Sequence, residues 1–372
     1  MILIKKICYY IKCNVIKAGE IMSENTELQN AEQTEDNEEV YEDEQEEYVY
    51  TESKVVTLLK RIFNKKVIAI VVALVILIQV LTSVIVSGLV LDADKFIKSE
   101  KSEKIIYGEL SDKSYVEWLS GKATHKYIEN SEKSKLHALE LKNYDTSHSY
   151  IIVCHPMTFK AEDMAVYAYH FYDLGFNVIL PDARGYGESE YKKLNMGWLD
   201  RHDILLWSEE IVKTDSKANI FLFGVGMGGS TVLMASSLEL PDNVKGIISD
   251  SAYADVQEAF KENIKDIYGV PSFPVVNMAS LYVKLTEGWS FKEADAIEQV
   301  KNSKVPILFI HGGEDEVVPV SQSNDLYESC SAKGSDHLLI SSAPHAKTLE
   351  TNAEKYWSNV DLFILDNIEN TP

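Results

Sequence analysis

The chain has 372 residues, of which 45% are hydrophobic and 25% are charged, so it can bury a sizeable core and is not disordered throughout. Its 58 Asp and Glu exceed its 36 Lys and Arg and give a formal net charge of −22, which would repel a phosphate backbone. Nucleic acid is therefore not an expected partner.

The four cysteines do not predict a metal site or a disulfide framework. They are Cys8, Cys13, Cys154 and Cys330, and their spacings match neither zinc-binding pairs nor small disulfide-bonded domains. We therefore expect no structural metal, and no other feature of the sequence predicts a cofactor.

The first 21 residues fit neither a membrane span nor a cleaved signal peptide. Residues 1–21 are basic and apolar but too mixed to span a membrane, and no small-residue cleavage site follows them. Gly19 and Glu20 can be encoded by a purine-rich, ribosome-binding sequence just before the codon of Met22. We therefore expect translation to start at Met22; otherwise residues 1–21 are an N-terminal extension.

Residues 22–53 form a strongly acidic segment. They contain 13 Asp and Glu and no Lys or Arg, and they show no apolar periodicity. Ordering such a segment would cost backbone entropy without burying apolar surface. We therefore expect a disordered tail.

A basic segment and a long apolar segment follow the tail. Residues 54–66 carry five Lys and Arg, and residues 67–91 contain only four polar side chains. At about 1.5 Å per residue, an apolar helix of this length crosses the ~30 Å hydrocarbon core of a bilayer. Basic residues precede this segment, and Asp92 and Asp94 follow it. The positive-inside rule therefore predicts a single-pass protein of the cell membrane, with its N-terminus in the cytoplasm and its C-terminal domain outside.

The remaining sequence predicts a polar stalk and then alternating strands and helices. The stalk covers residues 92–118, and the domain covers residues 119–372 and opens with a hairpin. Such alternation is typical of a mostly parallel sheet with helices on both faces. Residues 253–302 are too long for a simple crossover and are predicted to form a small cap. The predicted strands are 124–130, 136–142, 150–154, 177–180, 220–225, 246–249, 305–310 and 337–340, and the predicted helices are 162–174, 199–213, 227–240, 255–267, 321–329 and 352–368.

Functional residues of an open α/β sheet are expected at the carboxyl ends of its strands, where ligands bind. One predicted strand runs into the elbow, residues 224–228 (Gly-Val-Gly-Met-Gly), and then into a helix. A turn this tight needs glycines at its flanks, and the residue at its apex is Gly226. Two later strands are followed by Asp315 and by His345. The order of nucleophile position, acid and histidine is that of the α/β hydrolases.

Further motifs extend this pattern along the domain. The set comprises residues 182–189 (Asp-Ala-Arg-Gly-Tyr-Gly-Glu-Ser), 197–201 (Gly-Trp-Leu-Asp-Arg), the elbow, 311–319 and His345. From about Trp118 onward the chain therefore resembles the bacterial α/β-hydrolase superfamily, in particular the serine aminopeptidase S33 and esterase-like proteins of Gram-positive cells. The resemblance implies an eight-stranded, mostly parallel sheet with helices on both faces and a small cap, preceded here by one transmembrane helix.

The resemblance also implies a catalytic Ser, Asp and His, with backbone N–H groups that stabilise an oxyanion. By position, Asp315 would orient His345, and the N–H groups of Met157 and Met227 would form the oxyanion hole. The ligand would be a small acyl or peptide compound, and no metal or cofactor is implied.

Two positions depart from the pattern of the family. Its Gly-x-Ser-x-Gly motif has Gly226 in place of the serine, so the attacking side chain is absent and no acyl-enzyme can form there. Its His-Gly entrance to the oxyanion loop is His155-Pro156, and proline fixes φ and removes an N–H in a loop that must turn sharply. The sequence therefore predicts a hydrolase-fold protein without serine-hydrolase turnover, acting as a binding or regulatory module.

A second hypothesis is an active hydrolase of small esters or peptides. Either it would use water activated by His345 and Asp315, or Gly226 would be a substitution in an otherwise active serine hydrolase. Two other nucleophiles are weaker candidates. Ser230 is one helical turn past the apex and should face the packing, and Cys154 ends a buried strand, where a thiol packs as an apolar group. Arg184 is expected to brace a loop.

Overall fold

The computed structural model describes residues 64–91, 111–144, 147–191 and 193–369. The chain divides into two compact units, Met1–Val67 and Ile68–Pro372, and only residues 64–67 of the first unit are described. The predictions for residues 1–53 lie outside the described residues, as do those for most of the basic segment and most of the stalk.

Helices and strands alternate along the described part of the domain, as the sequence predicts. A 3₁₀ turn, Ala161–Met164, precedes the third helix. In chain order the elements are α1 (Lys65–Val90), α2 (Lys113–Lys122), β1 (Thr124–Glu129), β2 (Lys135–Leu141), β3 (Ser149–Cys154), α3 (Ala165–Asp173), β4 (Asn177–Pro181), α4 (Asp200–Thr214), β5 (Asn219–Val225), α5 (Met227–Ala235), β6 (Val244–Asp250), α6 (Val256–Tyr268), α7 (Ser272–Glu287), α8 (Ala296–Val300), β7 (Ile307–Gly312), α9 (Val320–Ser329), β8 (Asp336–Ile340), α10 (Thr348–Thr351) and α11 (Ala353–Glu369).

The eight strands form one sheet in the order β1-β2-β4-β3-β5-β6-β7-β8. β1 and β2 pair antiparallel, β2 pairs antiparallel with β4, and the remaining neighbours are parallel. Successive side chains of a strand point to opposite faces: Ile152 joins the apolar cluster on one face, and Ile151 and Val153 join the cluster on the other. The predicted α/β-hydrolase sheet, mostly parallel and covered on both faces, is therefore confirmed.

Helix α1 is the one helix in the described part of the chain that is long and apolar enough to cross a membrane. Its segment Lys66–Ile85 has a mean hydropathy of 3.0, and residues 68–78 are exposed. The C-terminal part of α1, in contrast to these exposed residues, contacts the domain. Ser83 is buried, and its Oγ lies 3.3 Å from the carbonyl oxygen of Val275 in α7.

Helix α2 is part of the domain and not of a stalk. The Asp112 side chain caps it by accepting a hydrogen bond from the N–H of Ser114. Leu119 is buried, and Trp118 packs edge-on against Tyr169 of α3 with ring centroids 5.0 Å apart. The structured domain therefore begins at least six residues before the predicted boundary at residue 119.

The predicted cap consists of α6, α7 and α8. Helix α6 begins after Asp255, whose side chain accepts a hydrogen bond from the N–H of Glu258, and it ends at Gly269 in the left-handed region. The cap follows β6, so it starts at the carboxyl edge of the sheet. Helix α5, predicted to reach residue 240, ends at Ala235, because the chain then turns with Leu238 N–H donating to the Ala235 carbonyl.

Candidate active site

The elbow is a tight strand–turn–helix connection between β5 and α5. Gly226 has φ +55° and ψ −118°, and its N–H donates to the Asp250 carbonyl at 2.8 Å. A Cβ on Gly224 would collide with the Gly228 carbonyl, and a Cβ on Gly228 would collide with that of Cys154. The flanking glycines are therefore required by close backbone approach, as the sequence predicts.

The structure brings Asp315 and His345 together at the same sheet edge. Asp315 lies just after β7 and His345 lies in the loop after β8, and His345 Nδ1 is 2.7 Å from Asp315 Oδ2. The other carboxylate oxygen accepts hydrogen bonds from the N–H groups of Val317 at 3.0 Å and Val318 at 2.8 Å. The backbone of Val317 and Val318 therefore holds the Asp315 carboxylate in position beside His345.

A second histidine, His311 at the end of β7, completes the surroundings of Asp315. Its Nε2 lies 2.9 Å from the Val318 carbonyl and 3.3 Å from Asp315 Oδ2, and its side chain is fully buried. Burial alone would raise the pKa of Asp315, but the hydrogen bonds from His311 and His345 outweigh it and hold that pKa well below its usual range. Asp315 is therefore ionised at neutral pH, and the Nδ1–H of His345 donates to it.

Nε2 of His345 faces the apex of the elbow. A Cβ added to Gly226 would lie 3.8 Å from this nitrogen, so a hydroxyl on that carbon would be within hydrogen-bonding reach. The same Cβ would lie only 3.1 Å from Cβ of Pro156. The structure thus aligns position 226 with the Asp315–His345 pair, and it also reveals crowding by Pro156 that the sequence does not indicate.

Of the two residues predicted to supply oxyanion N–H groups, Met227 lies in the elbow and Met157 lies in the loop after β3. Met227 is the first residue of α5, where backbone N–H groups have no partner within the helix and the helix dipole is positive. Met157 lies in the turn after β3, in which the Phe159 N–H donates to the Pro156 carbonyl at 3.3 Å. Next to it, Thr158 has φ +72°.

His155 braces the loop after β3. Its Nδ1 donates to the Pro156 carbonyl at 2.8 Å, and its Nε2 accepts from the Ala183 N–H at 3.0 Å. Burial lowers the pKa of His155, which favours the neutral ring that these two bonds require. These two bonds hold the start of the loop after β3 in place, and the sequence singles out this histidine only through the proline that follows it.

The alternative nucleophiles have structural roles. Ser230 is fully buried, and its Oγ lies 2.9 Å from the Tyr253 carbonyl and 3.3 Å from the Gly226 carbonyl. Cys154 is buried at the end of β3, and burial raises the pKa of its thiol far above the usual range. Neither group is placed or ionised as a nucleophile would be.

Arg184 braces a loop, as expected. Its side chain is buried, with Nε 2.6 Å from Asp203 Oδ2 and Nη2 2.8 Å from Asp203 Oδ1, a bidentate pair. The backbone N–H of Arg184 also donates to Asp200 Oδ1 at 2.9 Å. These bonds join residues 182–189 to the start of α4 at the edge of the sheet.

Comparison with known proteins gives both a family and a set of relatives. The sequence profile of the prolyl oligopeptidase family, peptidase S9, matches residues 163–359, which is more than half of the chain. YqkD, an uncharacterized protein of Bacillus subtilis, is 28% identical over 292 residues, 74% of this chain and 90% of that protein. YNL320W, an uncharacterized membrane protein of Saccharomyces cerevisiae, is 22% identical over 233 residues, 62% of this chain and 76% of that protein. The matched family is S9 and not the S33 family of the resemblance.

A solved structure agrees on the fold. The esterase Pf2001 of Pyrococcus furiosus superposes with a TM-score of 0.56 at 19% identity, covering 67% of this chain and 94% of the esterase. Likeness at this level of identity establishes the α/β-hydrolase fold.

Proposed function

The chain belongs to the prolyl oligopeptidase family, and from this premise we propose that it is a membrane-anchored binding or regulatory protein for a small acyl or peptide ligand, without turnover by a serine nucleophile. The observation that supports the proposal is Gly226 at the apex of the elbow, opposite Nε2 of His345. An acyl-enzyme requires a side-chain oxygen at this point, and glycine has none.

The remaining groups suit a carbonyl ligand. In the proposed complex, a carbonyl oxygen accepts hydrogen bonds from the N–H groups of Met227 and Met157, and the positive end of α5 favours its partial negative charge. Beside it, His345 presents Nε2 while Asp315 holds Nδ1. These contacts bind an ester or amide without cleaving it by acyl transfer.

A fluorophosphonate probe, which reacts with activated serines, tests the missing nucleophile. We expect the full chain to remain unlabelled and Gly226→Ser to become labelled, because its Oγ would reach His345. Gly226→Ala is the matched control, since it adds the same Cβ without the hydroxyl and should stay unlabelled. Labelling of the unmodified chain would contradict the proposal.

Crowding by Pro156 calls for a second variant. The Cβ of Pro156 lies 3.1 Å from the position of a Cβ added to residue 226. The double variant Pro156→Gly, Gly226→Ser should therefore be labelled faster than Gly226→Ser alone. A folded double variant that stays unlabelled and inactive on short acyl esters would mean that the pocket differs from a serine hydrolase at further positions.

Activated water is the second candidate mechanism. It is supported by the position of His345, whose Nε2 faces the space beside Gly226 and whose Nδ1 is held by Asp315. Such a histidine would take a proton from water as a general base. Ester hydrolysis by the unlabelled chain that disappears in His345→Ala would favour this mechanism over binding alone.

The proposed anchor is helix α1. The segment Lys66–Ile85 has the length and hydropathy of a membrane span, with the basic segment before it and Asp92 and Asp94 after it. We propose a cytoplasmic N-terminus and an external domain. Protease added to intact cells should then digest the domain and spare the acidic tail, and the reverse pattern would overturn this orientation.

A further inference from the structure

Three side chains with metal-binding atoms converge on the hairpin edge of the sheet, away from the elbow. They are His125 on β1, His137 on β2 and Glu188 in the loop after β4, named here the hairpin cluster. His125 Nδ1 lies 2.8 Å from His137 Nε2 and 3.6 Å from Glu188 Oε1. All three ligand atoms lie within 4.8 Å of one another.

The pairing of β1 with β2 explains why the two histidines meet. His137 is opposite Tyr127, and His125 is two residues before Tyr127. Residues two apart on a strand share a face, so both imidazoles project from the same side of the hairpin. Glu188 is held nearby because its second oxygen accepts a hydrogen bond from the Tyr127 hydroxyl at 2.6 Å.

His137 has the orientation of a metal ligand. It is buried, and its Nδ1 lies 2.6 Å from Asp182, a buried carboxylate that also accepts from the N–H groups of Ala161 and Glu188. Because Asp182 takes the Nδ1–H, the lone pair of His137 is on Nε2 and points to His125. A carboxylate behind a histidine in this way fixes the tautomer and raises the basicity of the ligand nitrogen in metal sites.

We propose that the hairpin cluster binds a divalent transition-metal ion of the Zn²⁺ class, with His125, His137 and Glu188 as ligands and water in the fourth position. Two imidazole nitrogens and one carboxylate oxygen form a common protein ligand set for such ions. The side chains of His125 and Glu188 are each 54% exposed, so the ion enters from solvent and is held against a buried, pre-oriented nitrogen.

The geometry requires one small movement. Nitrogens at about 2.0 to 2.1 Å from a tetrahedral zinc lie roughly 3.3 Å apart, so the two rings must separate by about half an ångström from their 2.8 Å contact. His125 can rotate outward because it is half exposed. The expectation of no metal came from cysteine spacing and the family resemblance, and neither of them considers histidines brought together by strand pairing.

Zinc titration of the full chain, purified without a polyhistidine tag, tests the site by competition with a chromophoric chelator. We expect one high-affinity Zn²⁺ per chain and at least about tenfold weaker binding in His125→Gln and in Glu188→Gln. Both residues are half exposed, so these variants should fold. Co²⁺ in place of Zn²⁺ should give the visible absorption of tetrahedral coordination, and His125→Gln should lose it.

His148→Gln is the matched control. His148 is also a half-exposed histidine with a carboxylate partner, its Nδ1 lying 2.7 Å from Asp215, but it is not one of the hairpin cluster. Its variant should bind Zn²⁺ like the unmodified chain. Equal weakening in His148→Gln, or equal affinity in His125→Gln and the unmodified chain, would overturn the proposal and leave the two histidines as a hydrogen-bonded pair.

Discussion

The elbow and the Asp315–His345 pair occupy the same edge of the sheet, but they differ in completeness. The pair is held by several polar contacts, with Asp315 accepting from His345 and from two backbone N–H groups. The elbow has the backbone of a nucleophile turn and lacks the side chain, because its apex is Gly226. The difference teaches that an intact acid–histidine pair is not by itself evidence of turnover, since its hydrogen bonds also hold two loops together.

The largest effect should come from removing the acid. Asp315→Ala deletes a buried charge with four donors around it and leaves His311 buried without that partner, so we expect the free energy of unfolding to fall by about 3 to 5 kcal/mol. His345→Ala should cost only about 1.5 kcal/mol, because Asp315 keeps His311 and two N–H groups. Chemical unfolding followed by tryptophan fluorescence measures both.

This contrast separates two roles of the pair. A much greater loss for Asp315→Ala means that the acid is retained for the packing of the loop after β7 as well as for His345. Equal losses in the two variants would mean that the contact between them is the main stabilising feature, and the structural account of Asp315 would then be wrong.

A smaller effect is expected at the elbow. Gly226→Ala places a side chain at φ +55° and 3.1 Å from Pro156 Cβ, so it should destabilise the protein by about 1 to 2 kcal/mol. Gly269→Ala is the control. Gly269 also has positive φ, but no atom lies within 4 Å of an added Cβ, so we expect the free energy of unfolding to fall by only about 1 kcal/mol. In a Pro156→Gly background the excess at position 226 should shrink, and the part that remains belongs to its ψ of −118°, which lies outside the left-handed region of Gly269. An unchanged excess would show that crowding is not a cause.

Most of the fold could be predicted because the buried strands are short apolar runs between turn residues. The hairpin, the six later strands and the apolar helix all lie within a few residues of their predicted positions. The end of the stalk could not be predicted, because α2 is mostly polar. Only its packing against α3, through Leu119 and Trp118, identifies it as part of the core.

The sequence predicts those residues of the candidate site that come soon after the end of a strand. Asp315 and His345 were found in this way, and so was the apex of the elbow. His311 was part of the motif 311–319, but its contact with Asp315 was not predicted, because that contact depends on the turn after β7. The hairpin cluster was missed because its residues meet only through strand pairing, and the approach of Pro156 to Gly226 depends on how two loops pack.

The close approach of Pro156 to Gly226 has an evolutionary consequence. A serine at position 226 would have to adopt φ +55° and move Pro156, in the loop after β3, by a few tenths of an ångström, whereas replacing the proline alone brings no nucleophile. Gly226→Ser alone supplies the hydroxyl and keeps the close contact with Pro156, so relief of that contact needs the second substitution. A serine at position 226 is thus accepted with less strain once Pro156 has been replaced, so the order in which these two positions change would affect how easily an active elbow arises.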